Sequence, residues 1–314
     1  MGTARRGSVR DKPSWRQYAR WLQAFTGAAR LHIVAIAALG NFTFGWLFTG
    51  HYPWLLTGIC ALDWYIVNLV NRVVDLGEDQ ANAIRGTGFI QRNVGRILVS
   101  TLILLVVSLV VINHVQPAIT PLRIAGHLLG LCYNWPVLPG RQRLKQVYLL
   151  KNTASGLGFL ITVFGYPLAA AFESIRIDGF PPGINWTTVA VSALFFFLFT
   201  QSYEVIYDLR DRKGDARHGI RTFPVVHGPH AAVGIADGLI IASAAVLAAG
   251  YMAGVLPWRI FIMIAAPVLQ YIVYKRALRR GISSGDCRRI TWMGALLLLV
   301  YHLWVLARLP GSGI

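Results

Sequence analysis

The chain has 314 residues, 55% hydrophobic and 14% charged, with 30 Lys and Arg against 13 Asp and Glu. Several apolar runs reach the roughly 18 to 20 residues that cross a bilayer, and a soluble domain of this size carries more charge and fewer unbroken runs. Composition therefore excludes an ordinary soluble protein and predicts an all-α polytopic membrane bundle forming one domain, residues 29–314, behind a basic tail, residues 1–28.

Residues 1–14 are polar and basic, and are expected to be mobile. The basic start reads as a cytoplasmic tail rather than a secretory signal, because no small-residue cleavage site follows the first apolar run. Over 15–26, Trp15, Tyr18, Trp21, Leu22 and Phe25 fall near helical spacing, with Arg16 and Arg20 elsewhere. Two readings stand: an amphipathic helix lying on the membrane surface, or the solvated start of the first membrane helix. About nine membrane segments follow, at roughly 29–49, 54–76, 95–113, 118–135, 149–172, 187–208, 230–253, 258–275 and 290–308.

With that count, 26 of the 30 basic residues fall on the tail and alternate connections, and the other side holds only Arg123, Arg176, Arg259 and Arg308. Such alternation follows the positive-inside rule, with a cytoplasmic N-terminus and an outside C-terminus. The net charge of +17 is thus topology and attraction to anionic lipid, not a nucleic-acid surface. No protein partner is inferable. Cys60, Cys132 and Cys287 show neither metal-ligand nor disulfide spacing, and His32, His127 and His302 have no partner spacing for a metal.

The second segment ends in Asn71-Arg-Val-Val-Asp75-Leu-Gly-Glu-Asp79. Four residues are slightly more than one helical turn, so Asn71, Asp75 and Asp79 share a face, with Asn68 and Trp64 deeper on the same stripe. A helix C-terminus is itself partly negative, and a carboxylate at membrane depth costs a further ~2.5 kcal/mol or more. Something positive must offset this. A bound divalent cation is the economical candidate; ion pairs with Arg72, Arg85 or Arg92 are the plainer one. Arg85, Gly86 and Gly88 suggest a mobile loop, and Arg85 and Arg92 read either as closing over an anion or as positive-inside charges.

The connection Tyr133-Asn-Trp-Pro136-Val-Leu-Pro139-Gly-Arg141-Gln-Arg143-Leu-Lys145 ends the fourth segment at its prolines. Lys145 and Lys151 then stand at the interface, where a phosphate can be gripped. The sixth segment ends in a second acidic stripe, Gln201, Glu204, Asp208, Asp211 and Asp215. The two stretches hold seven of the thirteen acids, Glu78 included. Two helices of one direction ending in acidic faces at one depth favour a shared site over two independent ion-pair clusters. Asp237, Gln270, Tyr271, Tyr274, Tyr301 and His302 in the last three segments read as helix–helix hydrogen bonds or cavity linings.

All-oxygen ligands without Cys or His point to Mg²⁺, which bridges a few carboxylates to substrate phosphate. Lys and Arg loops above two facing carboxylate sets suit a lipid diphosphate whose tail lies among the helices.

The first stretch resembles the Asn-xxx-Asp-xxx-Asp motif of UbiA-type intramembrane prenyltransferases. Asp208-Leu-Arg-Asp211-Arg-Lys-Gly214-Asp215 is similar to their second Asp-rich motif, and Gly219-Ile-Arg221-Thr222-Phe223-Pro224-Val225 to the segment after it. Tyr133-Asn-Trp-Pro136 with Arg143-Leu-Lys145 is similar to their Tyr-x-x-Pro and basic loop. The usual compact Arg-Thr-xx-Arg-Pro reads here Arg85-Gly-Thr-Gly-Phe-Ile-Gln-Arg92, so both arginines stay candidates. The resemblance implies a UbiA-like bundle that transfers a prenyl group from an allylic diphosphate to a small aromatic or lipophilic acceptor. It implies one Mg²⁺ on Asn71, Asp75 and Asp79, another on Asp208, Asp211 and Asp215, and Lys145, Lys151 and Arg221 on the departing diphosphate. Tyr133, Tyr207 and Trp64 would face the allylic cation, and Glu204 or Asp63 would orient or deprotonate the acceptor. The competing readings are a membrane terpene cyclase or transferase to a non-aromatic acceptor, and a transporter or lipid-binding protein. Transport is disfavoured because the polar residues crowd the helix ends rather than the midplane.

Overall fold

The structure, a computed structural model, describes residues 15, 26, 27, 29–84, 86–174 and 180–308. The interfacial helix expected over 15–26 (Trp15 and Thr26 apart) and the candidate Arg85 lie outside the described residues. Among those, all regular structure is helical: α1 (Leu31–Thr49), α2 (Trp54–Val74), α3 (Leu76–Ala81), α4 (Thr87–Arg92), α5 (Val94–Val115), α6 (Thr120–Asn134) and α7 (Leu150–Leu160) in the first half. Then come α8 (Tyr166–Ser174), α9 (Trp186–Arg217), α10 (Phe223–Val226), α11 (Gly228–Met252), α12 (Trp258–Phe261), α13 (Ala265–Leu278) and α14 (Ser284–Leu306).

Among the described residues eight helical stretches are long and apolar enough to cross a membrane. The ninth expected span, 118–135, is shorter: a single 3-10 turn, Pro117–Ile119, leads into α6, which has 15 residues. Prolines set both limits. Pro117 and Pro121 sit at helix starts, and Trp135, which precedes Pro136, is extended at φ −104° and ψ 151°, as a residue before proline must be. On α5, Val99 is 59% and Leu102 61% exposed; apolar exposure on this scale means that lipid, not water, is the solvent there.

Two irregularities position the site. The stripe from Asn71 to Asp79 is not one straight helix: α2 stops at Val74, and Asp75 sits between α2 and α3 at φ −92° and ψ 17°. The i→i+4 bonds from Asp75 N to Asn71 O (2.9 Å) and from Asp79 N to Asp75 O (2.8 Å) nevertheless persist across the break, so the register holds and all three residues face the interior. Between α7 and α8 the chain makes one π-helical turn, Ile161–Gly165, which widens the helix locally. The core beside it is aromatic: Phe44, Phe164 and Phe196 have ring centroids 4.5 to 5.5 Å apart, joining α1, the π turn and α9.

Helix α9 starts at Asn185, whose side chain accepts a hydrogen bond from Thr188 N at 2.9 Å, a normal N-cap. Its 32 residues extend ~48 Å at 1.5 Å each, well beyond the ~30 Å hydrocarbon layer. Its last turns, bearing Asp208, Asp211 and Asp215, therefore stand at one end of the bundle, beside α3.

Candidate functional site

A cavity of about 530 Å³ opens between these acidic ends and continues into the bundle. This is the size range of small-molecule sites. Its mouth is lined by Asn71, Asp75, Glu78, Asp79, Asp208 and Asp215. Farther in it is bounded by rings and aliphatic groups such as Phe159, Phe195, Phe196 and Phe199.

The two acidic segments meet because Gly214 lets them. Its backbone N donates to Asn82 Oδ1 at 3.1 Å, and a Cβ there would lie 2.3 Å from Asn82 Nδ2. Gln146 Nε2 also donates to His218 O at 3.3 Å, tying the basic link between α6 and α7 to the end of α9.

Each acid faces a cation from the chain itself. Lys145, 1% exposed, donates through Nζ to Asp75 and, at 2.7 Å, to Glu78 Oε2. Arg143 Nη1 lies 3.1 Å from Glu78 Oε1. Across the mouth, Lys151 Nζ donates to Asp208 Oδ1 at 2.7 Å and to Asp215 Oδ2 at 3.0 Å, and Asn152 Nδ2 donates to Asp208 Oδ2 at 2.9 Å. Asp79 is held by Arg72, with Arg30 Nη2 at 3.6 Å, and Asp211 by Arg210.

The expected ligand sets do not close on a point: among the described residues no three His, Cys, Asp or Glu side chains stand close enough to hold an ion. The carboxylates are drawn to lysine and arginine instead. The residues still fit a hard divalent cation. Each lysine ammonium bridges two carboxylates. The donors are all oxygen, as Mg²⁺ requires. Asn71 Oδ1 is buried at the mouth without a hydrogen-bond partner among the described residues, which is a cost unless a ligand completes it.

Of the other candidates, Tyr133, Lys145, Lys151, Glu204 and Tyr207 line the cavity. Glu204 accepts from Ser155 Oγ at 2.6 Å. Asn68 also lines it, although its Nδ2 is turned back to Trp64 O at 2.8 Å. Tyr207 faces α14: its hydroxyl lies 2.9 Å from Thr291 Oγ1, and the Arg210 guanidinium already covers its ring at 4.7 Å. Arg92 and Arg221 are exposed and do not line the cavity. Arg92 is in the last turn of α4 on its outer side, and Arg221 is in the link after α9, where Gly219 at φ 69° turns the chain away. Asp63 is not available as a base: the Arg123 guanidinium, His127 and Tyr166 all bond it.

Sequence reasoning missed Arg30, Arg143, Asn82 and Asn152 as site residues. Asn152 follows Lys151 directly, a signal that was there; Asn82 had none, since its role is a contact across 132 residues.

A helical bundle of membrane-crossing length, with facing carboxylate pairs at the mouth of an apolar cavity, defines an intramembrane lipid-handling protein. Residues 32–298 match the UbiA prenyltransferase family, and the chain belongs to that family. It is 31% identical over 112 residues to a digeranylgeranylglyceryl phosphate synthase of Methanopyrus kandleri, covering 35% of this chain and 41% of that protein. It is 28% identical over 99 residues to the synthase of the same description from Methanobrevibacter smithii, covering 32% and 35%. The matched stretch thus spans about two fifths or less of these relatives' length. The fold is that of a UbiA homolog from Archaeoglobus fulgidus solved with GPP and Mg²⁺, at TM-score 0.64 and 13% identity, covering 89% of this chain and 98% of that one.

Proposed function

We propose that the protein transfers a prenyl group from an allylic prenyl diphosphate to a lipophilic acceptor, with Mg²⁺ at the two acidic segments. The observation that carries this reading is the pair of lysine-bridged carboxylate sets, Asp75/Glu78 with Lys145 and Asp208/Asp215 with Lys151, at the mouth of a cavity with an apolar interior. The family membership and the relatives' synthase names support the reaction class, and the ligands of the Archaeoglobus homolog support the donor and the metal.

In this reading Asn71, Asp75 and Asp79 hold one ion and Asp208, Asp211 and Asp215 the other. Bound there, Mg²⁺ would neutralise charge on the leaving diphosphate. Lys145 and Lys151, released from their carboxylates, stabilise the same developing charge. The apolar walls keep water from the allylic cation, and Tyr133 and Trp64 offer ring faces to it. Trp64 is fixed for this by its bond to Thr162 Oγ1 (2.9 Å) and its stacking on Phe159 (4.1 Å between centroids). Glu204, on the cavity wall beside Asp208, orients the acceptor. The positive-inside pattern supports a cytoplasmic mouth and N-terminus.

The test is Asp75→Asn and Asp208→Asn, each purified and assayed with Mg²⁺ and radiolabelled prenyl diphosphates. Loss of metal-dependent diphosphate release is expected. Full turnover in both folded variants would remove the metal assignment, and product released without any acceptor would identify a cyclase instead.

A further inference from the structure

One arm of the cavity ends on charge. It runs between α2, α6 and α7, the three helices whose ends at the mouth carry Asn71, Tyr133 and Lys151. A diphosphate held at those ends has this arm beneath it for its carbon tail. At the far end Asp63, Arg123, His127 and Tyr166 all line the cavity. They are bonded to one another: the Arg123 guanidinium, His127 Nε2 and the Tyr166 hydroxyl reach the Asp63 carboxylate at 2.5 to 3.0 Å. Arg123 is 0% and Asp63 3% exposed. A hydrocarbon chain cannot push into this cluster without stripping hydrogen bonds from buried charges. The same bonds that take Asp63 out of contention as a base thus close the arm.

The side of the arm is kept open by glycine. Gly126 and Gly130 stand one turn apart on α6 and Gly158 is on α7, and all three line the cavity. Glycine weakens a helix interior relative to alanine, so each calls for a reason. Two residues away on α7, Gly156 has one in packing: a Cβ there would lie 2.3 Å from Gln201 Nε2 and 2.8 Å from Phe197 Cε2 of α9. The other three differ. None has a positive φ. A Cβ would meet no side chain nearer than 3.9 Å at Gly126, 3.7 Å at Gly130 and 3.8 Å at Gly158, which is ordinary contact. What the missing side chains leave free is room in the cavity.

The depth of the arm can be read along α6. From Tyr133 to Arg123 is ~15 Å at 1.5 Å per residue. An extended isoprene unit adds four carbon–carbon bonds, or roughly 5 Å.

We propose that this arm measures the donor's tail. The Asp63 cluster is its end stop, Gly126 and Gly130 are the specificity-determining positions above the stop, and a tail of about three isoprene units, farnesyl-sized, fills the space. This names the donor's size class for the prenyl transfer proposed above and rests on that reading.

The experiment measures binding to the full-length protein in nanodiscs with Mg²⁺, against empty nanodiscs as reference. The probes are dimethylallyl, geranyl, farnesyl and geranylgeranyl S-thiolodiphosphates, which resist ionisation. Each unit from dimethylallyl to farnesyl is expected to tighten binding at least about tenfold through added apolar burial, and geranylgeranyl binds no more tightly than farnesyl. Gly126→Leu removes the farnesyl step and keeps the geranyl one. Gly130→Leu, one turn nearer the mouth, removes both and keeps dimethylallyl binding, which also reports that the variant is folded. Gly58→Leu, at an exposed glycine of α2 outside the cavity, changes nothing. Should a leucine variant not fold, alanine at the same position gives the same order in smaller steps. Geranylgeranyl binding at least about tenfold tighter than farnesyl overturns the proposal. So does an equal loss of all four probes, or a loss of none, in the folded variants. Mg²⁺-dependent binding without the steps removes only the measure, whereas no Mg²⁺-dependent binding of any probe removes the transferase reading with it.

Discussion

Two buried carboxylate clusters lie on or beside α2, about three turns apart, and they are built differently. At Asp63 every acceptor is used. Arg123 donates from Nε to Oδ2 at 2.9 Å and from Nη2 to Oδ1 at 2.5 Å, His127 Nε2 is 3.0 Å from Oδ1, and the Tyr166 hydroxyl donates to Oδ2 at 2.8 Å. Arg123 spends two more donors on Ser108 O and Oγ, both at 2.9 Å. At Asp75 and Asp208 the partners are lysines, from the one-turn helix Leu144–Gln146 and from the first turn of α7. An ammonium is a point charge on a flexible stem, whereas a guanidinium is a fixed planar fork. The Asp63 cluster pins α2, α6 and the start of α8 together; the other can exchange its cations. Charge neutralisation alone therefore does not mark a functional site. Exchangeable partners and a spare buried acceptor, Asn71 Oδ1, do.

The comparison breaks most sharply at Arg123. Arg123→Ala leaves Asp63 buried and uncompensated, which costs about 3–5 kcal/mol, read as a lower unfolding midpoint in detergent. The paired change Asp63→Asn with Arg123→Met should recover much of that loss and keep turnover, since the pair stands about three helical turns from the carboxylates at the mouth. Asp208→Asn should show the reverse pattern: turnover down about a hundredfold or more, with the unfolding midpoint nearly unchanged because Lys151 keeps Asp215. Gly214→Ala forces apart the acidic segments against Asn82 and should cost about 1–3 kcal/mol, together with a raised KM for the prenyl diphosphate. The smallest expected effect is Lys145→Met, about a tenfold loss in kcat/KM, equivalent to ~1.4 kcal/mol. If Arg123→Ala instead abolished turnover in stable protein, or Asp208→Asn unfolded the bundle, the assignment of the two clusters would be reversed.

The apolar runs, the alternation of basic connections and both acidic stripes were legible in the sequence because each depends on local spacing. Tyr133 and Lys145 were legible through their motif, and Lys151 through its place at the interface. Arg92 and Arg221 were misplaced because a loop arginine's direction follows from how the loop is folded, not from its distance along the chain. Asp63 was read as a possible base because Arg123, His127 and Tyr166, its partners, lie 60 to 103 residues away.

What the sequence determined by itself was the solvent, the approximate number of crossings and the two helix faces on which acid is concentrated. Those are set by hydropathy and the 3.6-residue turn, and both act over a few residues. Tertiary structure decided which cation answers which acid and that Gly214 and Asn82 join the two acidic ends. Such pairings depend on where distant backbones come into contact, and a buried charge is specified by its neighbours in space.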